Sequence, residues 1–224
     1  MSDFTSELDA VDRAVGNRRI PAGEGHTVVL RRRYNAPVED VWDAVTDPER
    51  ITRWFLPVTG DLRLGGSYQL KGNAGGEIVA CQPPRLLRVT WVYGEDPGET
   101  DVSEVEVRLS PAADGQTLLE LEHAAVVDPK FWAEFGPGAT GVGWDLGLLG
   151  LALHLRGGSI DDPEAWGQTP EGRAFITRSS SAWGAAHQAA GAGGDEAAAA
   201  VANTTRFYAP DPDDHGEGPA ADQF

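Results

Sequence analysis

The longest apolar run in the chain is GVGWDLGLLGLALHLR, residues 141–156. On a helical period it carries two apolar stripes, Trp144, Leu148, Leu151, Leu155 and Val142, Leu146, Leu149, Leu153, with Asp145, His154 and Arg156 as its strongly polar positions. The pattern predicts a helix buried on more than one side. A membrane span needs roughly 20 apolar residues, and this run is shorter and carries Asp145 near its start, so it reads as part of a soluble core. Gly143, Gly147 and Gly150 form a column between the stripes that ends at His154. Each glycine costs about 1 kcal/mol of helix stability relative to alanine, so the column points to another backbone packed close by. A composition rich in Gly and Ala accounts for it equally well.

The other elements follow from the alternation of apolar and polar residues. Ser6 to Val15 reads as a short acidic helix with Leu8, Val11 and Val15 on one side, followed by a Gly/Pro-rich linker through Gly25. HTVVLRRRY reads as a strand whose Val28, Leu30, Arg32 and Tyr34 face the core. VEDVWDAVTD and PERITRWF form a helical hairpin, broken at Asp47-Pro48, with Asp47 capping its second helix. Strands come next at VTGDLRLGG, GSYQLKG, GEIVACQ, LLRVTWVYG, DVSEVEVRLSP and QTLLELEHAAV, with an acidic loop at EDPGETD. In the last pair Val105, Val107, Leu109, Leu119 and Leu121 alternate with acidic residues, which predicts an antiparallel sheet with one dry and one wet face. Val126 to Thr140 reads as a loop leading to the long helix; past Gly157, helices broken at Thr169-Pro170 are followed by another at DEAAAAVANTTRFY. The fold class is therefore α+β, with a sheet that curls around one long helix.

Composition narrows the functions. The 35 acidic residues against 18 basic ones give a net charge of −17, which argues against nucleic acid and against an anionic membrane surface as partners. The single cysteine, Cys81, cannot form an internal disulfide and sits in an apolar strand as a small core residue. The start, MSDFTSELDAVDRAV, lacks the features of a signal peptide, so a cytoplasmic location is expected. No HExxH, CxxC, Walker-type or GxGxxG pattern is present, so no metal and no cofactor is indicated.

From about Val28 to Arg156, in the order APVEDVWDAVTDPERITRWF, DLRLGGSY, PPRLLRVTWVYG, LLELEHA and GVGWDLGLLGLALHL, the chain resembles the activator of heat shock protein 90 ATPase homologue-like branch of the START-like, or SRPBCC, superfamily. The resemblance implies a helix-grip (Bet v-like) fold, a curved antiparallel sheet around a long C-terminal helix with a cavity between them. It also implies three classes of role: binding of lipids and other apolar ligands, aromatase or cyclase chemistry, and co-chaperone activity. The chain departs from the pattern at Ala80, where relatives often carry Glu, and in lacking the N-terminal domain of the eukaryotic co-chaperones. The expected organisation is an N-terminal segment and linker at 1–25, the START-like domain at 26–157, a helical extension packing on it at 158–208, and a disordered acidic tail at 209–224.

On strand parity His123 joins the dry face, where a neutral imidazole could orient a ligand or act as a general base. The competing reading is a core histidine bonded to a neighbouring group. Trp54, Phe55, Tyr68, Trp91 and Trp144, with Leu148 and Leu151 of the long helix, are the further pocket candidates; they either line an apolar cavity or fill it. Glu104, Glu106, Glu120 and Glu122 read as a solvated face. The small residues of AWGAAHQAAGAG are expected to meet the Gly143, Gly147, Gly150 column, or else that groove serves a homodimer. The favoured function is non-catalytic enclosure of a small apolar or aromatic molecule. The alternatives are an aromatase/cyclase- or hydrolase-like enzyme using His123, and a co-chaperone or protein-interaction module.

Overall fold

The computed structural model describes residues 4–94 and 102–210. The acidic loop at 95–101 and all but the first two residues of the acidic tail lie outside the described residues. Eight antiparallel strands form one curved sheet: β1 (Val11–Ile20), β2 (Gly23–Tyr34), β3 (Val58–Gly60), β4 (Ser67–Leu70), β5 (Gly75–Gln82), β6 (Leu86–Trp91), β7 (Ser103–Pro111) and β8 (Thr117–Ala125). Their order across the sheet is β1-β2-β8-β7-β6-β5-β4-β3. The helices are α1 (Phe4–Asp9), α2 (Val38–Thr46), α3 (Pro48–Ile51), α4 (Pro129–Phe135), α5 (Gly138–Leu155), α6 (Pro163–Gln168), α7 (Pro170–Ala189) and α8 (Gly194–Tyr208). This is the helix-grip arrangement, with α5 as the gripped helix.

The two stripes of α5 divide between two cores, with Val142 of the second stripe joining the first. Val142, Leu148 and Leu151 join Leu30, Val105, Leu119 and Leu121 in the main core. Leu149 and Leu153 pack in a second core with Leu8 of α1 and Phe175 of α7, flanked by Leu146, Phe4 and Trp166. The hydrophobic effect thus buries both sides of the helix, and the N-terminal and C-terminal segments supply the outer cover.

The stretch read as helix and linker up to Gly25 is a helix only to Asp9; from Val11 it is the edge strand of the sheet, paired along its length with β2. Val11 and Val15 are four apart, a spacing that satisfies one face of a helix and one face of a strand alike. Pairing with β2 settles the choice, and the charges along the strand find partners. Arg13 donates from Nε and Nη2 to Asp145 of α5 at 3.0 and 2.8 Å. Arg18 meets Glu104 and Glu122 at 3.0 and 2.7 Å.

Four further expectations change. The strand at VTGDLRLGG stops at Gly60, because residues 61–66 form a tight loop in which a Cβ on Gly66 would lie 2.0 Å from the Asp61 carbonyl oxygen. The second helix of the hairpin is one turn long, although Asp47 caps it as expected, accepting from the Glu49 and Arg50 amides. The stretch before α5 contains α4, capped by Asp128. The supposedly wet acidic face is only 8% exposed at Glu104 and Glu106, because arginines lie over it: Arg18 on Glu104, and Arg108 on Glu106 at 2.5 Å.

The glycine column also behaves differently from the expectation. Gly150 faces the Trp54 carbonyl, 2.4 Å from where a Cβ would sit, while Gly147 has ordinary room beside Phe55 and Gly143 meets the Tyr208 hydroxyl. The extension meets the column through Tyr208 and also engages α5 two residues earlier, where the Trp183 ring occupies the place of a Cβ on Gly141 at 2.2 Å. The chain's own residues therefore lie against all three glycines of the column.

Asp145 is the hub of this packing. Its side chain is fully buried and accepts from Arg13 of β1, from Ser179 Oγ at 2.5 Å and from Trp183 Nε1 at 3.0 Å, both of α7. Burial raises its pKa, and the four donors work against that rise. A second clasp joins Glu7 to Arg32 of β2 and to Arg156 at 2.6 Å. Burial opposes the Glu7 charge, but the hydrogen bonds from Arg156 and Arg32 outweigh it and hold the carboxyl below its ordinary value.

Candidate functional site

A cavity of about 170 Å³ lies between the inner face of the sheet and α5, under the roof formed by α2, α3 and residues 52–55. Strand parity supplies much of its wall: Leu87, Val89 and Trp91 from β6, Val105 and Val107 from β7, Leu119 and Leu121 from β8. In β5 a bulge between Ile78 and Ala80 shifts the parity, so that Ile78 and Cys81 both line the cavity while Ala80 pairs opposite Arg88. The departure from the family pattern at Ala80 therefore leaves the cavity wall unchanged. Cys81 is a free, half-buried thiol in that wall.

Seven of the eight sequence candidates come together in the lining: Trp54, Phe55, Tyr68, Trp91, Trp144, Leu148 and Leu151. The aromatic rings form a continuous run, with Trp54–Phe55 centroids 5.5 Å apart, Phe55–Trp144 6.2 Å, Trp144–Trp91 5.1 Å and Trp91–Tyr68 6.3 Å. Their polar atoms are mostly used elsewhere. Trp54 Nε1 donates to the Ala44 carbonyl at 2.9 Å, Tyr68 Oη to the Thr90 carbonyl at 2.8 Å, and Trp144 Nε1 to His123 Nδ1 at 3.1 Å. Burial raises the Tyr68 pKa, which keeps the phenol neutral. Thr46 and Arg63 are the polar lining side chains of other types, and the Arg63 guanidinium pairs with Asp61 at 2.7 Å.

His123, the eighth candidate, is outside the lining and packs against the rings of Trp91 and Trp144. Its Nδ1 accepts from Trp144, so the proton sits on Nε2, which donates to Ser103 Oγ at 2.8 Å; Ser103 in turn donates to the Trp91 carbonyl at 2.7 Å. Burial lowers its pKa to about 4. In this arrangement the neutral imidazole has both ring nitrogens engaged within the protein. Asp145 and His154 do not meet; His154 Nε2 accepts from Arg50 Nε at 3.3 Å.

Sequence reasoning did not single out Val58, Leu62, Leu70, Ile78 or Cys81 as lining residues. Leu62 lies in the 61–66 loop, where no periodicity operates, and Cys81 depends on a bulge. Among the described residues, no three His, Cys, Asp or Glu side chains form a metal-binding group, and no helix is long and apolar enough to cross a membrane.

The model of the family described as activator of Hsp90 ATPase homolog 1-like protein matches residues 35–154, more than half of the chain. The chain belongs to this family. The Hsp90 ATPase activator homolog-like domain here begins at the end of β2 and closes at the end of α5, so it holds the whole cavity. CalU16 from Micromonospora echinospora is 42% identical over 80% of this chain and 99% of its own, with a TM-score of 0.64 for its crystal structure. Its solution NMR structure gives 0.66, covering 81% of this chain and 97% of that one. The likeness to CalU16 thus reaches well beyond the family domain. MLL2253 from Mesorhizobium loti, 24% identical over 60% of this chain and 99% of its own with a TM-score of 0.50, shares the fold. No match was found among curated proteins.

Proposed function

We propose that this protein binds a small apolar or aromatic molecule between the sheet and α5. The observation that carries the reading is the cavity of about 170 Å³ whose wall is a run of aromatic rings and branched aliphatic side chains. An apolar cavity of about 150 Å³ admits a benzene-sized molecule and stays dry without one, so the space suits a one- or two-ring hydrocarbon skeleton. The closed hydrogen bonding of His123 favours binding over catalysis at that residue. Localisation in the cytoplasm, where such a ligand would be met, fits the acidic chain and is part of the proposal.

Cys81 gives a direct test, since it is the single cysteine and lies in the wall. Indane, a two-ring hydrocarbon, is expected to slow alkylation of Cys81 saturably and to change the fluorescence of Trp54, Trp91 and Trp144. Indane that leaves both signals unchanged up to its solubility limit would overturn the reading. Native mass spectrometry of protein taken from its own host, followed by denaturing extraction, would then identify the natural occupant.

A further inference from the structure

Among the described residues that line the cavity, Arg63 carries the one formal charge and is the one exposed residue; the others are buried or half-buried. Its side chain is 78% exposed although it belongs to the lining, so it stands at the opening, where the apolar wall meets solvent. The backbone holds it there. The Arg63 amide donates to the Asp61 carbonyl and the Gly66 amide to the Arg63 carbonyl, each at 2.8 Å, while Gly65 donates to the Ile78 carbonyl of β5 at 2.8 Å. Within this pinned loop Leu62 packs against the main core and Arg63 keeps to the rim. The guanidinium is only partly used. Its Nε lies 2.9 and 2.7 Å from the two carboxylate oxygens of Asp61, whereas Nη1 and Nη2 make no hydrogen bond to a described residue.

We infer that the ligand is an acid, with its ring system among the aromatic side chains and its carboxylate at the opening, where it takes the Arg63 Nη hydrogens. This rests on the binding reading above and narrows its ligand class. A carboxylate held inside the apolar wall would lose its hydration with nothing to replace it. At the opening it keeps water on one side and gains charge-assisted hydrogen bonds on the other. Asp61, itself exposed, competes for the same guanidinium and limits the gain.

The test compares indane-5-carboxylate with indane-5-carboxamide, which share one shape and differ in charge at pH 7.5, with indane as the control for occupancy. Affinities are read from protection of Cys81 against iodoacetamide. Arg63→Met should lower the carboxylate-to-carboxamide affinity ratio about fivefold, the size of a favourable exposed ion pair; the ratio cancels any packing change that both probes feel. Arg63→Lys should keep part of the ratio, because the charge remains while the paired Nη donors are lost. Asp61→Asn should raise it, since the competing carboxylate is gone. If indane protects Cys81 but the ratio is unchanged in Arg63→Met, or neither substituted probe protects, the acid inference is overturned while the binding reading stands. If none of the three protects Cys81, the binding reading falls and takes this inference with it.

Discussion

Removing one partner of the Arg13–Asp145 pair should cost far more than removing both. The Asp145 side chain is fully buried and that of Arg13 nearly so, and the pair joins the edge strand to the long helix. Asp145→Leu strands the Arg13 guanidinium, keeping only its bonds to the Val11 and Leu8 carbonyls, and also deprives Ser179 and Trp183 of an acceptor. Breaking a buried pair in this way costs about 3–5 kcal/mol, whereas replacing both partners with apolar groups is often close to neutral. For a chain of this size 1 kcal/mol moves the melting temperature by about 2–4 °C, so either single change should lower it by roughly 10 °C. Urea unfolding of Arg13→Met, Asp145→Leu and the double variant closes the cycle; with each single change costly and the double one close to neutral, the coupling should exceed the cost of either single change. The pH dependence supplies a second check. The folded pKa of Asp145 already stands above its ordinary value, and losing Arg13 raises it further. Such a group contributes stability below its unfolded pKa that is lost as pH rises through the folded one. The deficit of Arg13→Met should therefore narrow as pH is lowered from 7. Additive single effects, or a deficit that widens on acidification, would refute the account.

Gly147→Leu should fold normally, since a Cβ there has only ordinary contacts with Phe55 and Trp144, and its side chain should fill the cavity; binding of indane, followed by Cys81 alkylation, is expected to weaken more than tenfold, and unchanged protection would count against the cavity. For His123 the folded pKa is about 4 against an ordinary 6.5, so the unfolded chain takes its proton first: stability is full above pH 6.5 and falls towards pH 4, by roughly 3 kcal/mol across the window. His123→Phe should remove most of that slope in urea midpoints measured at pH 7.5 and 5; an unaltered slope would show that the imidazole is not the cause. Trp183→Ala empties the space against Gly141 and removes a donor to Asp145, with an expected loss of about 3–5 kcal/mol by thermal unfolding.

What the sequence made legible was the set of contacts governed by a single period. The stripes of α5, the parity of β7 and β8, and the Asp47 cap follow from local chemistry, and the inner stripe of α5 puts Trp144, Leu148 and Leu151 in the lining. Interactions that join distant parts of the chain had no local signal. The strand character of residues 11–20 rests on pairing with β2 and on Arg13 reaching Asp145, which lies 132 positions away. His123 shows the limit of parity: the dry face was assigned correctly, but whether a dry-face residue meets the cavity or the back of its wall depends on how the Trp91 and Trp144 rings lie.

The second core lies apart from the cavity, which sits on the sheet side of α5. The outer stripe, with Leu149 and Leu153 packed on Leu8 and Phe175, lies on the other side and does not depend on what the cavity holds. The two sides should therefore respond separately. In Phe175→Ala the outer packing is weakened while the lining is intact, so saturating indane should raise the lowered melting temperature by the same increment as in the unaltered protein, following the logarithm of ligand concentration over Kd. In Gly147→Leu the baseline should stay near that of the unaltered protein and the increment should vanish. An increment lost in Phe175→Ala would mean that the extension shapes the cavity itself, and the division of labour between the two faces of α5 would have to be abandoned.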